Sequence, residues 1–142
     1  MASRFWEATA GRTFVGRLET GSDLVEEIER FCAERDVRAA WVSVVGAMQR
    51  SAYAYRDQVN NRYIELASDR HHELSGFVGN ISMLDGRPFL HAHANFADVE
   101  GETVGGHLLR GCTVWVAEVT IREMTGVELE GTPDEQTGLA LW

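Results

Sequence analysis

Hydrophobic and polar residues alternate over most of this chain, and one segment departs from that alternation. Apolar residues recur at helical spacing from Leu24 to Cys32 and predict an amphipathic helix over residues 23–35. Asp23 at its start, followed three residues later by Glu26, forms a capping-box pattern. We therefore expect one principal helix that buries a single apolar face against a sheet.

The other apolar segments predict β-strands, because their side chains alternate with a period of two. The predicted strands are residues 13–19, 39–48, 51–56, 63–66, 74–84, 88–97 and 112–124. Asn60 with Asn61, Asp85 with Gly86, and residues 99–102 are typical of turns. Short turns join antiparallel neighbours, so the expected fold class is α+β: a mostly antiparallel β-sheet of six or seven strands with the helix packed on it.

The composition is that of an ordinary globular protein. The 142 residues are 44% hydrophobic and 25% charged, and we expect a single domain over residues 1–142. No apolar run approaches the roughly 20 residues that span a membrane, and the first residues have no apolar signal-peptide core. We therefore expect a cytoplasmic protein without a membrane partner. Cys32 and Cys112 lie in apolar surroundings and are expected to be reduced core residues.

The charge balance bears on possible partners. The formal net charge is −9, and all 13 basic residues are arginines. An acidic chain lacks the positive field that drives attachment to phosphate backbones. Nucleic acid is therefore a possible but disfavoured partner.

The chemistry of the chain concentrates around a His-x-His pattern. Because side chains alternate along a strand, His91, His93 and Asn95 should share one face of the strand at residues 88–97. His107 follows a short distance later, after Gly105 and Gly106, which we expect to form a turn that lets the backbone approach closely. Imidazole is a common ligand of zinc and similar divalent metals. The pattern predicts a metal site formed by these three histidines.

Each of these residues also has a structural interpretation. Histidines can simply be satisfied by backbone partners, and Asn95 is as well explained by a cross-strand side-chain pair as by contact with a ligand. Glu118 could orient a ligating imidazole, although pairing with an arginine such as Arg122 is the better explanation.

Three further polar residues are expected to lie in irregular structure. His71 and His72 are expected in a solvated loop, and Asn80 in a turn or bulge, with a place in a pocket as its alternative.

Several motifs, taken in order, resemble the PPC (plants and prokaryotes conserved) domain family. The matching segments begin at Gly46, Leu74, Gly79, Asp85, His91, Gly105 and Asp134, and together they span about residues 11–140. The resemblance implies an α+β fold, a homotrimer, and a histidine cluster near the subunit interface that can hold a metal such as zinc. Plant members carry AT-hook segments and act on chromatin, but this sequence has no Arg-Gly-Arg-Pro core. Stand-alone bacterial members are labelled as DNA-binding proteins without an established activity.

Three functions are compatible with these observations. The first is a trimeric binding or regulatory module whose histidine cluster holds a metal, with or without a small-molecule ligand. The second is a metal-dependent enzyme acting on a small molecule, since three imidazoles leave a coordination position open for water. The third is a DNA-binding protein. We rank the metal-binding module first, because it requires only what the residues provide.

Overall fold

The protein is built from one helix and a set of antiparallel strands. The computed structural model describes residues 3–142. Over that range the helix is α1 (Leu24–Glu34). The strands are β1 (Thr9–Arg17), β2 (Ala40–Asp57), β3 (Arg62–Ser68), β4 (His72–Leu84), β5 (Arg87–Ala97), β6 (Thr103–Leu108), β7 (Thr113–Thr125), β8 (Thr132–Asp134) and β9 (Leu139–Leu141). The predicted α+β fold class is confirmed.

The main sheet has seven strands, and part of it closes on itself. The order is β1-β7-β2-β4-β5-β6, and β3 pairs with the second half of β2. Strand β6 bonds to β5 on one side and also to β2 on the other. The strands β2, β4, β5 and β6 therefore form a closed ring, and β8 and β9 form a separate small hairpin.

Helix α1 covers the inner face of this sheet. The Asp23 side chain caps the helix, accepting hydrogen bonds from the backbone N–H groups of Val25 and Glu26 at 2.9 and 3.0 Å. Leu24, Ile28 and Cys32 are fully buried against the sheet, as their helical spacing predicts. This places the hydrophobic core between α1 and the inner face and leaves the outer face of the sheet without a helix.

The structure differs from the predicted strands in three main respects, one of which is the β8–β9 hairpin, where no strands were predicted. Residues 39–48 and 51–56 belong to one 18-residue strand, β2, which continues through an irregularity where the β2–β7 register shifts between Ala47 and Arg50. Strand β6 was not predicted, because the two glycines within it are typical of a turn. Gly105 and Gly106 lie inside β6 and pair with β5, so the expected turn at these residues is wrong.

Two polar residues of β4 also differ from expectation. His72 is buried at 6% exposure, begins β4, and lies edge-on to Phe96 with ring centroids 6.2 Å apart. The solvated loop predicted for it is wrong, because the strand begins two residues earlier than its apolar pattern indicates. Asn80 lies in the middle of β4 rather than in a turn.

The expectation for the two cysteines is confirmed. Cys32 and Cys112 are both buried free thiols. Burial raises the pKa of Cys32 to about 12 and that of Cys112 to about 11, so both remain protonated at neutral pH.

Across residues 3–142, no helix has the length and apolar character that crossing a bilayer requires.

Candidate metal centre

Strand β5 presents its polar residues on the outer face of the sheet. His91, His93 and Asn95 are exposed, whereas the intervening Ala92 and Ala94 are 2% exposed and face the core. The predicted alternation of this strand is therefore confirmed. It puts two imidazoles next to each other on the face that α1 does not cover.

The third imidazole comes from the neighbouring strand. His107 of β6 lies directly opposite His93 of β5 in the antiparallel register. The ring centroids of the three histidines lie 5.3–5.8 Å apart. One nitrogen from each of His91, His93 and His107 lies within 4.8 Å of the others. The structure thus brings together the three residues that the sequence indicates as metal ligands.

Close packing of β6 positions His107. A side chain at Gly106, where φ is 155°, would put its Cβ 2.5 Å from the carbonyl oxygen of Ala54 on β2. A side chain at Gly105 would put its Cβ 2.2 Å from the carbonyl oxygen of Ala94 on β5. Both positions require glycine, because β6 lies so close to β5 and β2 that a side chain would collide with their backbones. His107 therefore pairs across to β5 and, through Ala54, to β2.

An aromatic residue supports His107 from the side. Tyr63 of β3 stacks on the imidazole, with ring centroids 5.1 Å apart and an angle of 29° between the planes. The guanidinium of Arg56 in turn lies over the Tyr63 ring, 4.9 Å from its centroid. Nothing near Tyr63 in the sequence signals this contact, because it depends on the pairing of β3 with β2.

The electrostatics of the cluster favour the neutral form of His91 and His107. Partial burial, followed by the charges of His91 and His93, lowers the pKa of His107 to about 4. Burial and the neighbouring His93 also lower the pKa of His91. Neutral imidazoles keep a free lone pair at neutral pH, which is the form that binds a metal. The donor set of three nitrogens fits zinc or a similar divalent ion.

A pocket opens beside the cluster. It has a volume of about 600 Å³, and His91, His107 and Tyr63 form one of its walls. Asn80, opposite His91 in the β4–β5 register, also lines it. The Oδ1 atom of Asn80 is buried and has no hydrogen-bond partner among the described residues. The pocket interpretation of Asn80 is therefore confirmed.

The two other residues indicated by the sequence lie outside this pocket. Asn95 is on the same face as His93 but one step further along β5, next to Gly105 of β6. Glu118 is exposed on β7, opposite Arg17, and β7 is three strand positions from β5 in the sheet order. Within residues 3–142, no arginine nitrogen lies within 4.0 Å of its carboxylate. The expected ion pair of Glu118 with Arg122 is therefore not formed.

The protein is thus an α+β fold that carries a three-histidine cluster on the sheet face without a helix. The Plants and Prokaryotes Conserved (PCC) domain matches residues 6–125. The chain belongs to this family, the one that its motifs resemble.

Known proteins are similar to the chain over almost its full length. A metal-containing protein from Archaeoglobus fulgidus is 36% identical, with a TM-score of 0.94 and 99% of both chains covered. A plant- and prokaryote-conserved (PPC) protein from Pyrococcus horikoshii is 31% identical, with a TM-score of 0.93, and the match covers 99% of this chain and 96% of that one.

A longer relative carries a similar region as a small part of its length. The bifunctional protein GlmU from Synechococcus sp. (strain JA-3-3Ab) is 33% identical over 129 residues. The match covers 89% of this chain and 20% of that relative. The chain thus spans about a fifth of the protein it resembles there.

Proposed function

We propose that this PPC-domain protein is a metal-binding module in which His91, His93 and His107 hold zinc or a similar divalent ion. The observation that carries the proposal is the convergence of three imidazole nitrogens within 4.8 Å on the outer sheet face. The lowered pKa of His107 keeps this imidazole neutral, which is the form that binds a metal. The similarity to a metal-containing protein at 36% identity supports it further.

We also propose that the protein is a homotrimer with the histidine cluster near the subunit interface. Large apolar residues are exposed beside the cluster on the same sheet face. Val78 is 57% exposed and lies directly opposite His93, while Trp41 and Val45 of β2 are 47% and 67% exposed. Exposed apolar groups of this kind are typical of a surface that a partner covers. Subunit association would bury them and restrict access of water to the metal.

A metal-dependent enzyme is the second candidate. Three imidazoles at one ion leave a position for water or substrate, an arrangement that catalytic zinc sites share. The pocket beside His91 and His107 favours this possibility, because it gives a small molecule access to that position. In either case the chain's own residues would bind the ion, hold its ligands in place and shape the adjoining space.

Metal analysis of protein purified without a histidine tag tests the metal site. We expect about one zinc-like ion per chain, and we expect its loss when His91 and His93 are changed to alanine. His71→Ala is the matched control, since His71 is exposed and outside the cluster. Stoichiometric metal that survives the double substitution, or no metal in the wild type, would overturn the proposal.

Light scattering coupled to size-exclusion chromatography tests the trimer. The expected mass is three times that of the 15.8 kDa chain. Val78→Asp should reduce the mass to that of one chain, because it puts a charge into the covered surface. A monomeric wild type contradicts the trimer.

A salt-dependent shift of duplex DNA by the wild type would instead favour a nucleic-acid function.

A further inference from the structure

The pocket beside the histidine cluster is lined by both polar and apolar side chains. The polar ones, which we call the polar wall, are His91, His107, Tyr63, Asn80 and Ser82. The apolar ones are Met83, Leu84 and Phe89 of the main sheet, together with Leu139, Ala140, Leu141 and Trp142, which we call the apolar wall. None of the described residues that line the pocket is an aspartate, a glutamate or an arginine. Carboxylate and guanidinium side chains are therefore not part of the described lining of this pocket.

The apolar wall is held in place by backbone and side-chain hydrogen bonds. Strand β4 is bonded to the segment before β8, with the Met83 N–H donating to the Leu129 carbonyl at 2.8 Å and the Gly131 N–H donating to the Met83 carbonyl at 2.8 Å. At the other end, the Arg56 guanidinium donates to the carbonyl oxygen of Thr137 at 3.0 Å. The pocket is therefore preformed, which lowers the entropic cost of filling it.

Asn80 supplies a second polar contact point. It lies opposite His91 across the β4–β5 ladder, so its side chain shares the outer face with the cluster. Its Oδ1 atom is buried and unpaired. An unpaired buried acceptor is costly. Because this atom has almost no exposed surface, a ligand reaches it only if the Asn80 amide turns towards the pocket, and a hydrogen bond from the ligand then recovers that cost. The register places Asn80 beside His91, one of the proposed metal ligands.

We propose that this pocket binds a small molecule with three features: an oxygen-bearing head group that ligates the metal, a hydrogen-bond donor that reaches Asn80, and an uncharged apolar tail that lies against Leu139 and Trp142. This inference rests on the proposed metal site and identifies the chemical class of its ligand. The tail is required because the apolar wall lines the same pocket as the ion site. The donor is required because Asn80 offers an acceptor.

Two hydroxamates of different length test the ligand class. Acetohydroxamate carries the metal-binding oxygens and a donor, and octanohydroxamate adds an apolar chain to the same head group. Calorimetric titration into zinc-loaded wild-type protein should show octanohydroxamate binding about 10-fold or more tightly, since each buried methylene contributes to affinity. Equal affinity of the two would overturn the proposal.

Substitutions in the two walls should separate the two parts of the ligand. Leu139→Ser should reduce the preference for octanohydroxamate several-fold and leave acetohydroxamate binding unchanged. Asn80→Leu should weaken both hydroxamates by about 5–10-fold, because it removes the acceptor. Leu66→Ser is the matched control, since Leu66 is exposed on β3 and does not line the pocket.

The zinc content of each variant distinguishes failure of this inference from failure of the metal site. Wild-type zinc content with no effect of either wall substitution overturns the ligand class alone. A wild type that binds no zinc overturns the metal site and this inference with it. If Asn80→Leu fails to fold, Leu139→Ser still decides whether the tail is recognised.

Discussion

Tyr63 lies almost flat against His107, although the two residues belong to strands that do not pair with each other. Their ring centroids are 5.1 Å apart, and β2 separates β3 from β6 in the sheet. Arg56 completes the stack and also reaches the carbonyl oxygen of Thr137. One stack of side chains thus links the β8–β9 hairpin to the His107 imidazole, a proposed metal ligand.

Removal of the Tyr63 ring should weaken metal binding. Tyr63→Ala leaves His107 free to rotate, and residues that orient a ligand typically contribute about 10-fold or more to metal affinity. Competition with a chromophoric chelator measures the change. Tyr63→Phe should retain wild-type affinity, because stacking requires the ring and not the hydroxyl. Equal affinities of the Ala and Phe variants would contradict this role.

Substitution of Gly106 should disrupt β6. The Cβ of Gly106→Ala would lie 2.5 Å from the Ala54 carbonyl oxygen, so strand β6 must move away from β2. We expect a loss of about 2–3 kcal/mol or more in the free energy of unfolding, measured in urea, together with weaker metal binding. Gly16→Ala on β1 has open space around its Cβ and should be nearly neutral. Equal stability of Gly106→Ala and Gly16→Ala would contradict the close approach of β6 to the Ala54 carbonyl oxygen.

Asp23 should contribute more than an ordinary helix cap. Its Oδ1 accepts from the N–H groups of Val25 and Glu26, and its Oδ2 accepts from the N–H of Gly111 at 2.5 Å. Asp23→Ala should cost about 1–2 kcal/mol of folding free energy in a urea titration. Asp23→Asn keeps a capping oxygen but places an NH₂ group towards Gly111, so an intermediate loss is expected. An Asn variant as unstable as the Ala variant would show that the cap contributes nothing.

Folding stability should decrease in acid because of one ion pair. Arg12 donates to Glu123 through its backbone N–H and its guanidinium, at 2.6–3.0 Å, and lowers the pKa of that carboxyl from 4.5 to about 2. A carboxyl whose pKa is depressed on folding stabilises the protein above its unfolded pKa and loses this contribution as the pH falls towards 2. Arg12 is 52% exposed, so screening by solvent keeps this contribution small.

Urea titrations at pH 5 and pH 2.5 measure this effect. The wild type should lose more stability between the two values than Glu123→Gln, which has no carboxyl to titrate. Arg12→Ala should return the pKa of Glu123 towards 4.5, visible in an NMR titration of its carboxyl carbon. An unchanged titration in Arg12→Ala would rule out the pair as the cause.

Much of the site could be predicted from the sequence, because it depends on local periodicity. The alternation around His91 and His93 puts both rings on one face, and only a strand produces that pattern over so many residues. The helix and its Asp23 cap were predicted for the same reason. His107 could be assigned to the cluster from its chemistry and from the family resemblance. Its strand, β6, was not predicted, because a turn was expected at the two glycines before it.

The rest depends on contacts between distant parts of the chain. Gly105 and Gly106 are typical of a turn in isolation, and only the tight fit of β6 between β5 and β2 explains them as strand residues. Tyr63 reaches His107 through strand pairing that no local signal specifies. The same holds for Asn80, whose unpaired oxygen becomes visible only once β4, β5 and the β8–β9 hairpin are in place.

The closed ring of β2, β4, β5 and β6 has a consequence for how the protein would use an ion. The backbone hydrogen bonds that hold His93 and His107 in register are completed within the ring, so folding does not require the ion as a cross-link. We therefore expect the ion-free chain to fold, and a bound ion to add to its stability through linkage. Ion occupancy can follow the free concentration in solution and change reversibly, without unfolding or resynthesis of the chain.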